Sequence, residues 1–167
     1  MTFPQQTTHV TGDQGASIQI GGFGTVVMVP RERTNGSVSI VEHTLAPGLL
    51  GAPPHRHTRE DETSYVLEGQ LTVQIGPDTV TVGPGEIVVK PRGIFHTFWN
   101  AGDQPVRFLE VISPGGFEDY FAELAPIIPA DGPPDMGAMA TLGARYGMEF
   151  DFSRIPELIE RHGVRLG

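Results

Sequence analysis

The chain has 167 residues, 38% of them hydrophobic, with 11 basic against 20 acidic side chains and a formal net charge of −9. That length fits one core, and the acidic balance repels phosphate backbones and anionic lipid surfaces, so neither nucleic acid nor membrane is expected as a partner. With no cysteine there is neither a disulfide nor a thiolate metal site, and any metal must sit on nitrogen and oxygen ligands.

The start, Met1 to Val10, shows no basic segment leading into an apolar one, and no run approaches the ~18 apolar residues of a membrane span; a soluble cytoplasmic protein is expected. Residues 1–16 are polar and aperiodic and read as an N-terminal arm. From 17 to 115 short apolar runs alternate with turn signals, at Ser17–Ile20, Thr25–Val29, Ser37–Leu45, Thr63–Leu67, Leu71–Ile75, Thr79–Val82, Ile87–Lys90, Thr97–Trp99 and Val106–Ile112. The breaks carry Asn35-Gly36, Glu68-Gly69, Gly76-Pro77-Asp78, Gly83-Pro84-Gly85 and Ala101-Gly102-Asp103, where Gly and Pro supply the dihedrals of turns. About nine strands at this spacing predict an all-β sandwich or barrel of the jelly-roll type. Gly21-Gly22-Phe23-Gly24 lacks both the Lys-Ser/Thr of a phosphate loop and the dinucleotide spacing, and reads as a turn between strands. His9, His43 and His162 each stand alone in the sequence; alternation turns one of Glu42 and His43 inward and the other out.

After Pro114 the period changes. Phe117, Tyr120, Phe121 and Leu124 fall at i, i+3, i+4 and i+7, one apolar stripe on a helix that Pro126 ends. Further helices are predicted from Asp135 as N-cap to Gly147 and from Ser153 to Gly163. Residues 116–167 are thus expected to form a helical appendage on a barrel spanning 17–115, its apolar faces covering the barrel, its mouth or a second subunit. A homodimer is expected, through edge strands or through Phe117, Phe121 and Leu124.

The chemistry concentrates in Pro53-Pro54-His55-Arg56-His57 and the residues just beyond it. Residues two apart in a strand share a face, so both imidazoles can reach one point. Glu62 stands five positions further on, behind a polar run able to turn the chain, and can open the next strand toward the same point; the neighbouring Glu60 and Asp61 read as solvated turn residues. His96, after the tight Pro91-Arg92-Gly93 turn, is the candidate fourth ligand for a divalent transition metal. By the same alternation Phe98 and Asn100 share the face of His96, and Ser64 that of Glu62; these three are the candidate substrate-pocket residues.

These stretches resemble the cupin superfamily, whose first motif reads G-x5-H-x-H-x3,4-E-x6-G and whose second reads G-x5-P-x-G-x2-H-x3-N. His55, His57, Glu62 and Gly69 match the first; Gly85, Pro91, Gly93, His96 and Asn100 match the second. The opening glycine departs from the pattern, six residues separating Gly48 from His55 and three separating Gly51 from it. The resemblance covers roughly 20–115 and implies a double-stranded β-helix with a metal inside one end. The run His57 to Gly69 and the later Ser113-Pro-Gly-Gly-Phe117-Glu are most similar to the single-domain, quercetin-dioxygenase-like cupins. The resemblance implies a metal-dependent, dioxygenase-like oxidoreductase with one Fe, Ni, Mn, Co, Cu or Zn ion, acting on a small phenolic or enolic substrate, with Glu62 as both ligand and proton acceptor. A metal-dependent isomerase or cyclase, or a non-catalytic ligand-binding barrel, is the alternative.

Overall fold

The structure is a computed structural model that describes residues 9–11, 15–129 and 134–166. Most of the N-terminal arm expected over 1–16 lies outside them.

Strands β1 (Ala16–Ile20) and β2 (Phe23–Val29) form a hairpin about Gly21-Gly22, and β3 (Ser39–Leu45) follows a short 3-10 turn. Then come β4 (Leu49–Leu50), β5 (His55–His57), β6 (Asp61–Glu68), β7 (Leu71–Ile75) and β8 (Asp78–Val82). Strands β9 (Ile87–Lys90), β10 (His96–Trp99) and β11 (Val106–Ser113) close the barrel. The tail holds α1 (Glu118–Leu124), α2 (Met136–Arg145), β12 (Met148–Phe150), α3 (Ile155–His162) and β13 (Arg165–Leu166). One sheet runs β1-β2-β3-β11-β6-β9; the other runs β12-β5-β10-β4-β13, with β7 also on β10 and β8 on β7. Inward residues of both sheets, among them Val41, Val66 and Phe108 from the first and Leu71, Val73 and Phe98 from the second, share one core.

Strict alternation sets what the barrel encloses. On β11, Val106, Phe108, Glu110 and Ile112 are buried while their neighbours are partly exposed. On β6 the inward set begins Glu62, Ser64, Val66, and on β9 it is Val88 and Lys90. A period-2 strand delivers every second side chain to the interior whatever its polarity, so charged groups enter the barrel on the same face as its aliphatic core.

The stripe Phe117, Tyr120, Phe121, Leu124 is buried, with the Phe121 ring centroid 6.4 Å from Phe23 and 5.0 Å from His43. The helical face expected to meet a second subunit is therefore spent on the chain's own barrel, because closing the barrel mouth removes that apolar area from water without a partner. Asp135 caps α2 by accepting from the Ala138 N–H, and Gly163 ends α3 in the left-handed region. The tail also holds two strands that helical periodicity did not predict. Strand β12 lies antiparallel on β5, with Met148 opposite His57 and Phe150 opposite His55, while β13 runs parallel to β4. Leu50 and Trp99 of the barrel pack with Ile155, Leu158 and Val164 in a second apolar cluster. Among the described residues no helix is long and apolar enough to cross a membrane.

Candidate metal centre

Strand β5 presents His55 and His57 on its inner face, 5% and 1% exposed, with Arg56 between them turned out to an ion pair with Glu149. Strand β10 lies antiparallel on β5 with His96 opposite His55, their ring centroids 4.4 Å apart. The turn before it is held by the Gly93 N–H donating to the His57 carbonyl at 2.7 Å, with Gly93 at a φ of 78° that favours glycine. Glu62 arrives from β6, paired across to Lys90 on β9. One donor atom from each of His55, His57, Glu62 and His96 falls within 4.8 Å of the others, and all four residues are buried.

Tautomers follow from the hydrogen bonds. A carbonyl can only accept, so His55 Nδ1 donates to Pro53 at 2.8 Å and His96 Nδ1 to Ile94 at 3.1 Å; in each neutral ring this leaves Nε2 as a lone-pair donor. His57 Nε2 and His96 Nε2 are buried with no hydrogen-bond partner, 3.5 and 3.2 Å from the Glu62 carboxylate. Buried polar atoms are nearly always satisfied. Two orphaned imidazole nitrogens beside a third imidazole and a carboxylate form a donor set that could hold a divalent transition metal, and the residues fit such an ion.

Protonation supports the same role. Burial, then neighbouring His96 and His57, holds His55 well below the usual imidazole range, and burial lowers His96 as well, keeping both rings in the neutral, ligating form. Burial pushes Glu62 upward, but Lys90, His57 and His96 together outweigh it and hold the carboxyl well below its ordinary range.

Glu60, expected to be a solvated turn residue, is instead 8% exposed, with Oε2 3.6 Å from His57 Nδ1. The turn that re-aims the chain between β5 and β6 folds this carboxylate back against the imidazole. The two atoms stand at ion-pair distance without a hydrogen bond, in the place from which a carboxylate can orient a ligating imidazole. Asp61 does stay outside, where Arg92 holds it at about 2.

Two further charged groups enter the barrel. Lys90, 1% exposed, places Nζ 2.6 Å from Glu110 Oε2 and 3.1 Å from Glu62 Oε2. Ser64 Oγ donates to the same Glu110 oxygen at 3.0 Å. Burial pushes the Glu110 carboxyl up, against Lys90, to about 7. The sequence held the signal: in β9 and β11 both residues lie at the even spacing of the apolar, inward positions. His43 is the inward member of its pair, 2% exposed, its Nδ1 2.9 Å from Thr25 Oγ1 and its ring stacked on Phe23. Glu42 faces Arg107 on the outside.

A cavity of about 70 Å³ adjoins the centre, lined by His43, His55, Glu62, Lys90, Phe98 and Glu110 and, from α1, by aromatic rings. Phe98 is in its wall. A Cβ on Gly51 would lie 2.2 Å from the Phe98 ring, so the glycine just ahead of the first motif is a packing requirement of that wall. Ser64 serves Glu110 and is not among the lining residues. Asn100 is not a pocket residue either: its Nδ2 donates to Leu45 and Gln104 carbonyls and its Oδ1 accepts from the Gly102 N–H, a clamp on the turn after β10 that uses its whole amide.

Two β-sheets folded into a barrel, with three histidines and a glutamate converging inside one end, define the cupin class. The family model described as Cupin domain matches residues 41–112, and the fold is a cupin fold. Among curated proteins, Germin-like protein subfamily 2 member 2 of Arabidopsis thaliana is 40% identical over 82 residues, which are 46% of this chain and 37% of that protein. Tetracenomycin polyketide synthase protein TcmJ of Streptomyces glaucescens is 31% identical over 96 residues, 56% of this chain and 62% of that one. Of the first three curated relatives the matched segments span only 37%, 44% and 36% of the length. Among solved structures, a predicted oxalate decarboxylase from Thermotoga maritima superposes with a TM-score of 0.60 at 20% identity, over 64% of this chain and 99% of that one; at that identity the likeness is one of fold.

Proposed function

We propose that this chain is a metal-dependent enzyme of dioxygenase-like type, acting on a small oxygen-bearing substrate of enolic or phenolic character. The observation that carries the reading is the pair of buried, partnerless Nε2 atoms of His57 and His96 facing His55 and Glu62, the latter two lining a largely apolar cavity. A divalent ion on His55, His57, Glu62 and His96 would supply Lewis acidity toward an enolate or phenolate oxygen. Four protein ligands leave coordination positions open on an ion that takes five or six, and the aromatic wall excludes water from them. Glu62, held in its charged form beside Lys90, is suited to ligation, and accepting a proton falls to another group. The polyketide synthase protein among the relatives supports an enolisable substrate, since polyketide chains are rich in β-dicarbonyl units.

The test is elemental analysis of purified protein, then turnover of an enolic and phenolic panel with and without oxygen. One equivalent of metal is expected, lost in both His57→Ala and His96→Ala. Oxygen uptake matched to substrate loss supports the dioxygenase; turnover without oxygen assigns an isomerase or cyclase; tight binding without turnover assigns a binding barrel. Wild-type metal content in both variants removes the centre itself. For the homodimer, the open β9 edge, where Ile87 and Val89 are exposed, replaces the helical face as the proposed contact, and a monomer by sedimentation at micromolar concentration removes it.

A further inference from the structure

The metal ligands account for one end of the cavity's polarity and leave a second, built by Lys90 and Glu110, without a task. Both side chains are buried, at 1% and 2% exposure, and both line the cavity. The Glu110 Oε2 atom is fully engaged, by Lys90 Nζ at 2.6 Å and Ser64 Oγ at 3.0 Å. Its Oε1 is buried with no hydrogen-bond partner. Leaving a charged acceptor unsatisfied away from water is costly, and the terminal torsion of a glutamate is soft enough to re-aim that oxygen along the cavity wall. An ammonium has three hydrogens, and Glu110 and Glu62 take two of them.

Charge points the same way. Once an ion sits on neutral histidines, a divalent cation, two carboxylates and one ammonium leave one positive charge in a buried, low-dielectric space, which a bound monoanion neutralises. The cavity's small volume restricts that anion to a compact molecule.

We propose that Lys90 and Glu110 form the substrate-selecting pair of this cavity, and that they select a small monoanion carrying a hydroxyl next to its anionic oxygen, Lys90 donating to the oxyanion and Glu110 Oε1 accepting from the hydroxyl. The proposal rests on the metal-dependent reading above and names its substrate class. Two sources share this chemistry, a short 2-hydroxycarboxylate and the monoanion of an ortho-diphenol. The cavity as it stands fits the first; the second requires the α1 side of the wall to give way.

The experiment uses the full chain loaded with cobalt(II), at pH 8 so that Glu110 is ionised. Metal stoichiometry is measured first. Binding is then read by calorimetry and by the cobalt visible bands for two matched pairs, lactate against propionate and catechol against 2-methoxyphenol. In each pair the second member lacks the hydroxyl hydrogen. The hydroxyl member of at least one pair is expected to bind at least tenfold more tightly, and the successful pair identifies the source. Glu110→Gln, which puts an amide donor where the free acceptor was, is expected to cut that preference to threefold or less with cobalt stoichiometry unchanged. The Lys90→Met, Glu110→Gln double variant, which removes both charges together and so leaves neither unpaired against the other, is expected to lose the preference as well.

Failure to hold cobalt removes the metal reading and this inference with it. Full cobalt with no hydroxyl preference in either pair, with no binding of any of the four probes at millimolar concentration, or with a preference that survives Glu110→Gln overturns this inference alone and leaves water as the partner of Glu110 Oε1.

Discussion

Glu62–Lys90 and Asp61–Arg92 are ion pairs on the same two strands or their immediate ends, one residue apart on one side and two on the other, yet they have opposite fates. Glu62 and Lys90 point inward and are 5% and 1% exposed; Asp61 and Arg92 point outward with side chains roughly half exposed, joined at 2.6 Å. Strand alternation separates Glu62 from Asp61, and the turn that begins at Pro91, beyond the end of β9, carries Arg92 outside; together they turn the same chemistry from a solvated contact into the electrostatic centre of the barrel. In water a charge pair gains little, whereas in the interior removing one member strands the other.

The largest expected effect comes from that asymmetry. Lys90→Met leaves Glu62 and Glu110 facing each other unpaired and is expected to destabilise the metal-free fold by ~3–5 kcal/mol in urea unfolding, while Arg92→Met leaves the unfolding midpoint where it was. Equal effects for the two would erase the distinction between inner and outer pair.

Glu60 refines the contrast, being the third carboxylate of the run Glu60-Asp61-Glu62 and touching neither end of the Lys90 pair. Glu60→Gln is expected to weaken metal affinity by ~10- to 100-fold through the loosened His57 ring, read by competition with a chelator, whereas Asp61→Asn keeps affinity within about twofold.

His43 tests the interior from another side. Burial, then the nearby Lys90 charge, lowers it to about 3, below the ordinary imidazole value. Between about 6.5 and 3 the unfolded chain therefore binds more protons than the folded one, so stability falls as pH falls through that window. His43→Gln is expected to flatten this slope, measured by urea unfolding across pH in the metal-free protein. The smallest effect belongs to the surface pair Arg56–Glu149, at 2.6 Å: Arg56→Ala is expected to cost less than about 1 kcal/mol and to leave β12 docked on β5.

Whatever depends on local period and local turn chemistry was legible in the chain alone. The barrel strands from β1 to β11 show as apolar runs between Gly and Pro, except β4 and β5. The α1 stripe shows at i, i+3, i+4, i+7, and His55, His57, Glu62 and His96 show because motif spacing and two turns bring them to one face. The features that had to wait for the folded molecule depend on register between distant strands. Strands β12 and β13, three and two residues long, carry too few residues for any period, and exist because β5 and β4 offer unpaired edges. The burial of Glu60 comes from the path of a turn. Lys90 and Glu110, twenty residues apart, meet because β9 and β11 both pair with β6, whose Ser64 lies opposite Val88 on one side and Glu110 on the other. Alternation alone tells that a residue faces inward or outward, and pairing alone tells what it meets there, which is why the four converging side chains, marked by their motif spacing, could be read from the chain and the charged pair beside them could not.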